Sequence, residues 1–310
     1  MKQRRKVVSG TALCASVERR CAPQWMKPLT THHSPLTSKG FTLVEMIMVI
    51  VITGIIGGMV AVFLKAPIQQ YMDVARRADM TDIADTALRR ISRDLRLALP
   101  NSVRVTGAIS GAGSCNGSEI CTLEFVPTKG GARYRAGAGG DELDFSSITD
   151  STFDVLAVTG QGISIADGDS IVIYNLGITG ADAYEGSSRR VAVAPFGGNL
   201  TNVSFNPAGT QFPFDSPGRR FHVVDTPVSY VCTPNSATPS LGTLVRLLGY
   251  GWAAPSGTGN LLATNVGSCS FTYDPNVVAQ RSGLVTMHLA ITEDGETVTL
   301  YNAAHVSNQP

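Results

Sequence analysis

Charged residues are scarce in this chain. Asp, Glu, Lys and Arg make up 16% of its 310 residues, against about 25% in an ordinary soluble domain. Basic and acidic residues nearly balance, at 25 and 24, and leave a net charge of +1. Binding to nucleic acid normally requires a basic surface, so we expect no nucleic-acid partner. The 43% hydrophobic content also excludes a disordered tail.

The short motifs of common enzyme classes are also missing. The chain contains no H-E-x-x-H, no G-x-S-x-G and no G-x-x-x-x-G-K-[ST], which excludes a zincin helix, a nucleophile elbow and a P-loop. His222, His288 and His305 are far apart in the sequence. We predict that the chain is not an enzyme, has no catalytic residue and uses no cofactor.

Metal-binding patterns are weak. Asp167-Gly168-Asp169 resembles a fragment of a calcium loop, but Ca²⁺ takes six to eight oxygen ligands. The preceding Ile165 and Ala166 supply no side-chain oxygen. We therefore interpret the segment as a plain turn and predict no metal ligands.

The chain contains one long apolar run, over 41–64. These 24 residues contain one ionisable side chain, Glu45. As a helix the run reaches roughly 36 Å, enough to cross a hydrocarbon core of about 30 Å. A secretory signal peptide has a shorter apolar region that ends in an A-x-A-like site, so the run predicts a transmembrane helix. A carboxylate inside hydrocarbon is costly and normally has a partner or a function.

Basic residues are concentrated before the apolar run. Residues 1–40 carry eight Lys and Arg residues and one Glu, so 41–310 carry 17 basic and 23 acidic residues, a net charge of −6. A cut after Gly40 would create an ammonium group on Phe41, four residues before Glu45. Opposite charges attract strongly in a low dielectric, whereas an unpaired charge is expensive there.

The segment KGFTLVE at 39–45 resembles the prepilin signature of type IV pilins and type II secretion pseudopilins. The resemblance implies that a prepilin peptidase and N-methyltransferase cleaves after Gly40 and methylates Phe41. It implies that Glu45 neutralises the Phe41 ammonium of a neighbouring subunit during assembly. Residues 1–40 would then be a leader peptide; Met26 is the alternative start, because the stretch from 26 to 40 resembles ordinary prepilin leaders better.

Residues 39–105 are most similar to the minor pilins of mannose-sensitive haemagglutinin (MSHA) pili. J-class minor pseudopilins are the nearest alternative. The resemblance implies partners: other major and minor pilins, met through the N-terminal helix, and the inner-membrane platform. It also implies a single-pass inner-membrane precursor with a periplasmic domain, which later enters the pilus fibre, at the tip. A membrane-tethered adhesin or ligand-binding module is a different hypothesis.

Residues 65–100 predict an amphipathic stalk helix that Pro100 ends. Two acidic-to-basic pairs, Asp73 with Arg77 and Asp85 with Arg89, have the i,i+4 spacing that stabilises a helix. The predicted apolar stripe consists of Ile68, Tyr71, Met72, Ala75, Ala78, Ile83, Ala87, Ile91, Leu95 and Ala98.

Residues 101–310 predict antiparallel sheet, because short β-branched runs alternate with turn residues. Asp294-Gly295 is a strong hairpin signal. We expect long Gly-rich loops at 106–119, 129–141 and 176–189. The fold class is therefore α+β and type IV pilin-like: a long N-terminal helix, half in the membrane and half amphipathic, packed on an antiparallel β domain.

Four cysteines follow the leader: Cys115, Cys121, Cys232 and Cys269. An even number outside the cytoplasm favours disulfides, and the spacing does not suit zinc. Three connectivities are open. We prefer Cys115–Cys121 and Cys232–Cys269 because these pairs are adjacent in the sequence; a Cys115–Cys232 bridge is an alternative.

Overall fold

A computed structural model describes residues 40–156, 162–207, 209–275 and 282–310. The predicted leader and the Met26 start lie outside these ranges, except for Gly40. The described chain contains one α-helix, α1 (Leu43–Leu95), and a 3₁₀ turn at Pro239–Leu241. Its strands are β1 Arg104–Gly107, β2 Gly111–Ala112, β3 Cys121–Phe125, β4 Thr128–Tyr134, β5 Thr152–Leu156, β6 Ile163–Ile165, β7 Ser170–Ile173, β8 Arg189–Val193, β9 Gly197–Leu200, β10 Asn202–Asn206, β11 Arg220–Val224, β12 Val228–Thr233, β13 Thr243–Leu247, β14 Asn260–Thr264, β15 Val266–Asp274, β16 Ser282–Glu293 and β17 Glu296–Ser307.

The chain divides into two compact units, of which the first ends at Val62. In this unit the large apolar side chains from Leu43 to Val60 are all exposed. The most apolar 18-residue window of α1 has a mean hydropathy of 2.8 and no buried residue. The helix is therefore long and apolar enough to cross a membrane, which fits membrane anchoring.

The second unit spans Phe63–Pro310, and its part of α1 is held by one apolar stripe. The stripe differs from the predicted one: Ile68, Tyr71 and Met72 are exposed. Within the described chain the buried residues of α1 begin at Met80, so these three residues lie before the part of the helix that enters the core. Ile83 lies within that part but is 37% exposed. The buried helix residues are Met80, Ala84, Ala87, Leu88, Ile91 and Leu95.

Two antiparallel sheets and the second half of α1 share the main hydrophobic core. One sheet has six strands in the order β14-β13-β12-β3-β1-β2, and the other has three in the order β15-β16-β17. The helix packed on antiparallel sheets confirms the α+β fold class. The Asp294-Gly295 turn is also confirmed: both residues have positive φ, 49° and 80°, as a type I′ turn requires.

A closed antiparallel barrel lies between β3 and β12 in the sequence. Its strand order is β10-β5-β4-β11-β7-β8. Because β3 and β12 pair directly, with Phe125 opposite Val228, residues 128–224 form an insertion between two neighbouring strands. The barrel has its own core. In this core the Phe153 and Phe221 rings pack edge to face, with their centroids 5.0 Å apart.

The expected loop at 129–141 is wrong in its first half, which is strand β4 of the barrel. Its Gly130 and Gly131 pair with β11. A Cβ atom on Gly131 would lie 3.0 Å from the Phe221 carbonyl oxygen, so glycine permits the close approach of two backbones. Gly-rich composition here marks a tight strand pair rather than a loop.

Both disulfides join cysteines that are adjacent in the sequence. Cys115 is bonded to Cys121 and Cys232 to Cys269, and all four are buried. Cys232 lies on β12 and Cys269 on β15, so the second disulfide links the six-stranded sheet to the three-stranded sheet.

One of the two expected helix ion pairs is replaced by a tertiary pair. Arg89 contacts Asp85 at 2.6 Å, as expected. Arg77 instead contacts Glu296 at 2.9 Å, while Asp73 contacts Arg76. The β16–β17 hairpin turn brings Glu296 to the helix, which helix spacing alone does not reveal.

Candidate functional site

The predicted processing site precedes the first turn of α1. Gly40 and Phe41 are both exposed, Phe41 to 80%. A Cβ atom on Gly40 would meet nothing within 4 Å in the described chain. The two residues that flank the predicted cleavage site are therefore exposed within the described chain.

Thr42 and Glu45 form a capping box at the start of α1. The Glu45 carboxylate accepts hydrogen bonds from the Thr42 N–H and hydroxyl, both at 3.1 Å. In return the Glu45 N–H donates to the Thr42 hydroxyl oxygen at 3.3 Å. Such a box satisfies two of the free N–H groups at a helix start. The T-x-x-E spacing is visible in the sequence, although the prediction for Glu45 from the sequence concerned only its charge.

The cap leaves Glu45 able to bind a second partner. Both bonds end on Oε2, and an ionised carboxylate has further acceptor positions. The side chain is exposed, and within the described residues no Lys or Arg pairs with it. The cap thus fixes the carboxylate near residue 41 while one oxygen stays available for an ammonium group.

The apolar half of α1 is suited to an environment of lipid or of other protein. The Thr53 hydroxyl donates to the Val49 carbonyl oxygen at 2.6 Å, so this polar group is satisfied within the helix. Gly54, Gly57 and Gly58 have no atom within 4 Å of a Cβ position. Small residues of this kind let helices approach one another closely.

Residues 36–61 match the family model described as Prokaryotic N-terminal methylation motif. This is a prepilin signal of the type IV pilin kind. The match covers Gly40, Phe41, Glu45 and most of the apolar run, and it supports a type IV pilin or pseudopilin that prepilin peptidase processes and that assembles with other pilins. No curated protein and no solved structure matches the chain.

The three histidines are not brought together. His222 lies on β11, His288 on β16 and His305 on β17. Burial, and secondarily Arg220, lowers the pKa of His222 to about 4, and its buried Nε2 has no hydrogen-bond partner among the described residues. Over the described ranges, no three His, Cys, Asp or Glu side chains form a group suited to a metal ion.

The Asp167–Asp169 segment forms a turn. The Asp169 N–H donates to the Ala166 carbonyl oxygen at 3.2 Å, and Gly168 has a φ of 86°. The Asp169 carboxylate accepts from the Ala166 N–H and from Lys129. This carboxylate is thus already engaged within the protein.

Glu119 is a buried carboxylate that our sequence analysis missed. It lies inside the Cys115–Cys121 loop and accepts hydrogen bonds from the Ser110 hydroxyl and from the N–H groups of Ser110, Asn116 and Ile109. These hydrogen bonds lower the pKa of Glu119 to about 2, and the bond from the Ser110 hydroxyl has the largest effect. The carboxylate joins the disulfide loop to the β1–β2 turn.

Proposed function

We propose that the chain is a minor pilin of an MSHA-like type IV pilus, processed by prepilin peptidase and taking part in pilus assembly or initiation. The observation that carries the proposal is the exposed pair Gly40 and Phe41, followed by a capped Glu45 at the start of an uncovered apolar helix. The family match over 36–61 supports the coarser part of the proposal, a type IV pilin or pseudopilin.

Cleavage leaves the cap intact. The peptidase breaks the bond between Gly40 and Phe41, and the new ammonium belongs to Phe41. Thr42 keeps its amide N–H, so its bonds to Glu45 persist in the mature chain. The free carboxylate oxygen of Glu45 then faces the Phe41 ammonium of a neighbouring subunit, and the attraction is strong in a helix bundle from which water is excluded.

The inserted barrel supports a minor role. A major subunit repeats along the fibre and must make the same contacts at every position, whereas a subunit at the tip can carry an additional module. The barrel over 128–224 is such a module. Its presence also favours a second candidate function, an adhesin that binds a ligand through the barrel at the tip of the fibre.

Intact mass spectrometry tests the processing step. We expect the mature chain to begin at Phe41 with one additional methyl group, and Gly40→Leu to remain unprocessed because a bulky residue blocks the peptidase. Gly54→Leu, in the middle of the apolar run, is the matched control and is processed normally. A purified native chain that begins before residue 41 would refute the proposal.

A minor pseudopilin of the J class carries the same N-terminal signature and is the alternative within the family. A deletion strain separates the two functions. Loss of surface fibres with normal protein secretion supports the pilus, and loss of secretion with normal fibres supports the pseudopilus.

A further inference from the structure

Strand β17 has one edge that no other described strand pairs with. It is the last strand in the order β15-β16-β17. The two-residue hairpin places Glu293 opposite Glu296, so the even-numbered residues of β17 exchange hydrogen bonds with β16. The N–H and C=O groups of odd-numbered residues from 297 to 307 point away from β16. No main-chain hydrogen bond from the rest of the described chain reaches them.

This edge lacks the usual protection against strand addition. Proteins block sheet edges with short strands, bulges, Pro or Lys. The edge strand β2 has two residues, and β14 pairs with an irregular register. By contrast, β17 pairs over twelve residues without a register shift and contains neither Pro nor Lys.

A basic groove runs beside the edge on the helix side. Its volume is about 450 Å³, and it lies between α1 and residues 302–305 of β17. Arg89, Arg93 and Arg96 line its helix wall; the side chains of Arg89 and Arg93 are 75% and 69% exposed. Asp85 contacts Arg89 at 2.6 Å and Asp94 lies 4.0 Å from Arg93. Asp94 is shared with Arg246, so the three guanidinium groups leave a local excess of positive charge.

An aromatic depression lies on the opposite face of the same part of β17. It has a volume of about 360 Å³ and is lined by Thr286, His288, Tyr301 and Ala303, among others. Tyr301 is 78% exposed, and its ring centroid lies 4.8 Å from that of His288. One stretch of strand edge therefore has positive charge on one side and an aromatic surface on the other.

We propose that the edge of β17 around residues 301–305 binds an extended acidic segment of a partner protein, which adds to the sheet as a fourth strand. The main chain of the segment pairs with the outward groups of β17. Its acidic residues, at alternate positions, face the arginines, and the intervening apolar residues pack on Tyr301.

The spacing of the two sets of charges agrees with this arrangement. Arg89 and Arg93 are separated by a rise of about 6 Å along the helix. Side chains on one face of a strand recur about every 6.7 Å. Acidic residues two positions apart can therefore meet both arginines at once, and strand addition to a free edge is a known mode of peptide recognition.

The test uses the full chain in detergent and a labelled peptide of about ten alternating Glu and Val residues, long enough to cover the edge. Fluorescence anisotropy measures its Kd. Three comparisons are made: a peptide of the same composition with contiguous Glu residues, the alternating peptide N-methylated at every second amide, and the Arg89→Glu/Arg93→Glu protein. Arg133→Glu, an exposed arginine in the barrel, is the matched control.

We expect each of the three comparisons to weaken binding by at least about tenfold, and Arg133→Glu to leave it unchanged. If N-methylation of the peptide does not weaken binding but the Arg89→Glu/Arg93→Glu substitutions do, the contact is electrostatic docking without strand addition. In that case the proposal is wrong. Equal binding of the two unmethylated peptides, unchanged binding to the arginine variant, or no binding to the wild type also overturns it. Circular dichroism confirms that each variant is folded.

Discussion

Glu45 both caps the start of α1 and carries a negative charge, and substitutions can separate these two roles. Glu45→Gln keeps an acceptor oxygen for the Thr42 bonds, since Gln also serves in capping boxes, but it removes the charge. Thr42→Val keeps the charge and the main-chain bond to Glu45 but removes the two hydrogen bonds of the Thr42 hydroxyl, which costs about 1 kcal/mol of helix stability. We expect Glu45→Gln to be processed normally and lost from sheared fibres as severely as Glu45→Ala, and Thr42→Val to show a milder loss on immunoblots. Normal incorporation of Glu45→Gln would show that the cap, and not charge neutralisation, is what assembly needs.

Glu119 makes stability depend on pH. Its pKa is about 2 in the folded chain, below its ordinary value of 4.5, so the unfolded chain takes up this proton first as the pH falls. Its contribution is complete above about pH 4.5 and declines toward pH 2. We expect the thermal midpoint of Glu119→Gln to be lower than wild type at pH 7 and to fall less steeply between pH 4.5 and 2.5. Glu142→Gln, an exposed control, should follow the wild-type curve; parallel curves for all three chains would contradict the role of Glu119.

At the scale of elements, Asp94 joins the end of α1 to the six-stranded sheet. It accepts a hydrogen bond from the Tyr230 hydroxyl at 2.7 Å and forms an ion pair with Arg246 at 2.9 Å, and its side chain is 14% exposed. Asp94→Ala leaves the Tyr230 hydroxyl without its acceptor and the Arg246 guanidinium without its carboxylate partner, although Arg246 still donates to the Tyr230 oxygen. We therefore expect the free energy of unfolding to fall by roughly 1.5–3 kcal/mol. The control Asp85→Ala removes an exposed helix pair and should cost about 0.3–0.5 kcal/mol. Urea unfolding in detergent measures both, and equal losses would refute the anchoring role.

Local elements could be predicted from the sequence, and non-local ones could not. The Asp294-Gly295 turn depends on the φ values that two residues accept, so the sequence suffices. The burial of Met80 and Leu88 depends on where the β domain covers the helix, which composition does not encode. The barrel depends on distant pairs such as Gly131 with His222. The capping box at Thr42 was readable, because it is a local signal that spans four residues.

At the scale of the whole molecule, the barrel can be removed without separating the strands that flank it. β3 and β12 pair directly, and the Asp225 N–H donates to the Pro127 carbonyl oxygen at 3.3 Å. The two ends of the insertion are thus adjacent, and a Gly-Gly link from Pro127 to Asp225 can replace 128–224. Excision exposes Leu99 and Val126, which pack against the barrel residues Val172 and Val224. The excised chain therefore also carries Leu99→Ser and Val126→Thr, so that these two positions are polar.

We expect the excised chain to be processed at Gly40, to keep both disulfides in non-reducing mass mapping and to enter fibres, because the helix and its sheets form a separate core. Fibres that carry it should lose adhesion if the barrel is the ligand-binding module. A matched chain with Leu99→Ser, Val126→Thr and an intact barrel controls for the effect of these two substitutions. If the excised chain folds and is processed but stays out of fibres, the barrel contributes to assembly itself, and a role confined to display at the tip is excluded.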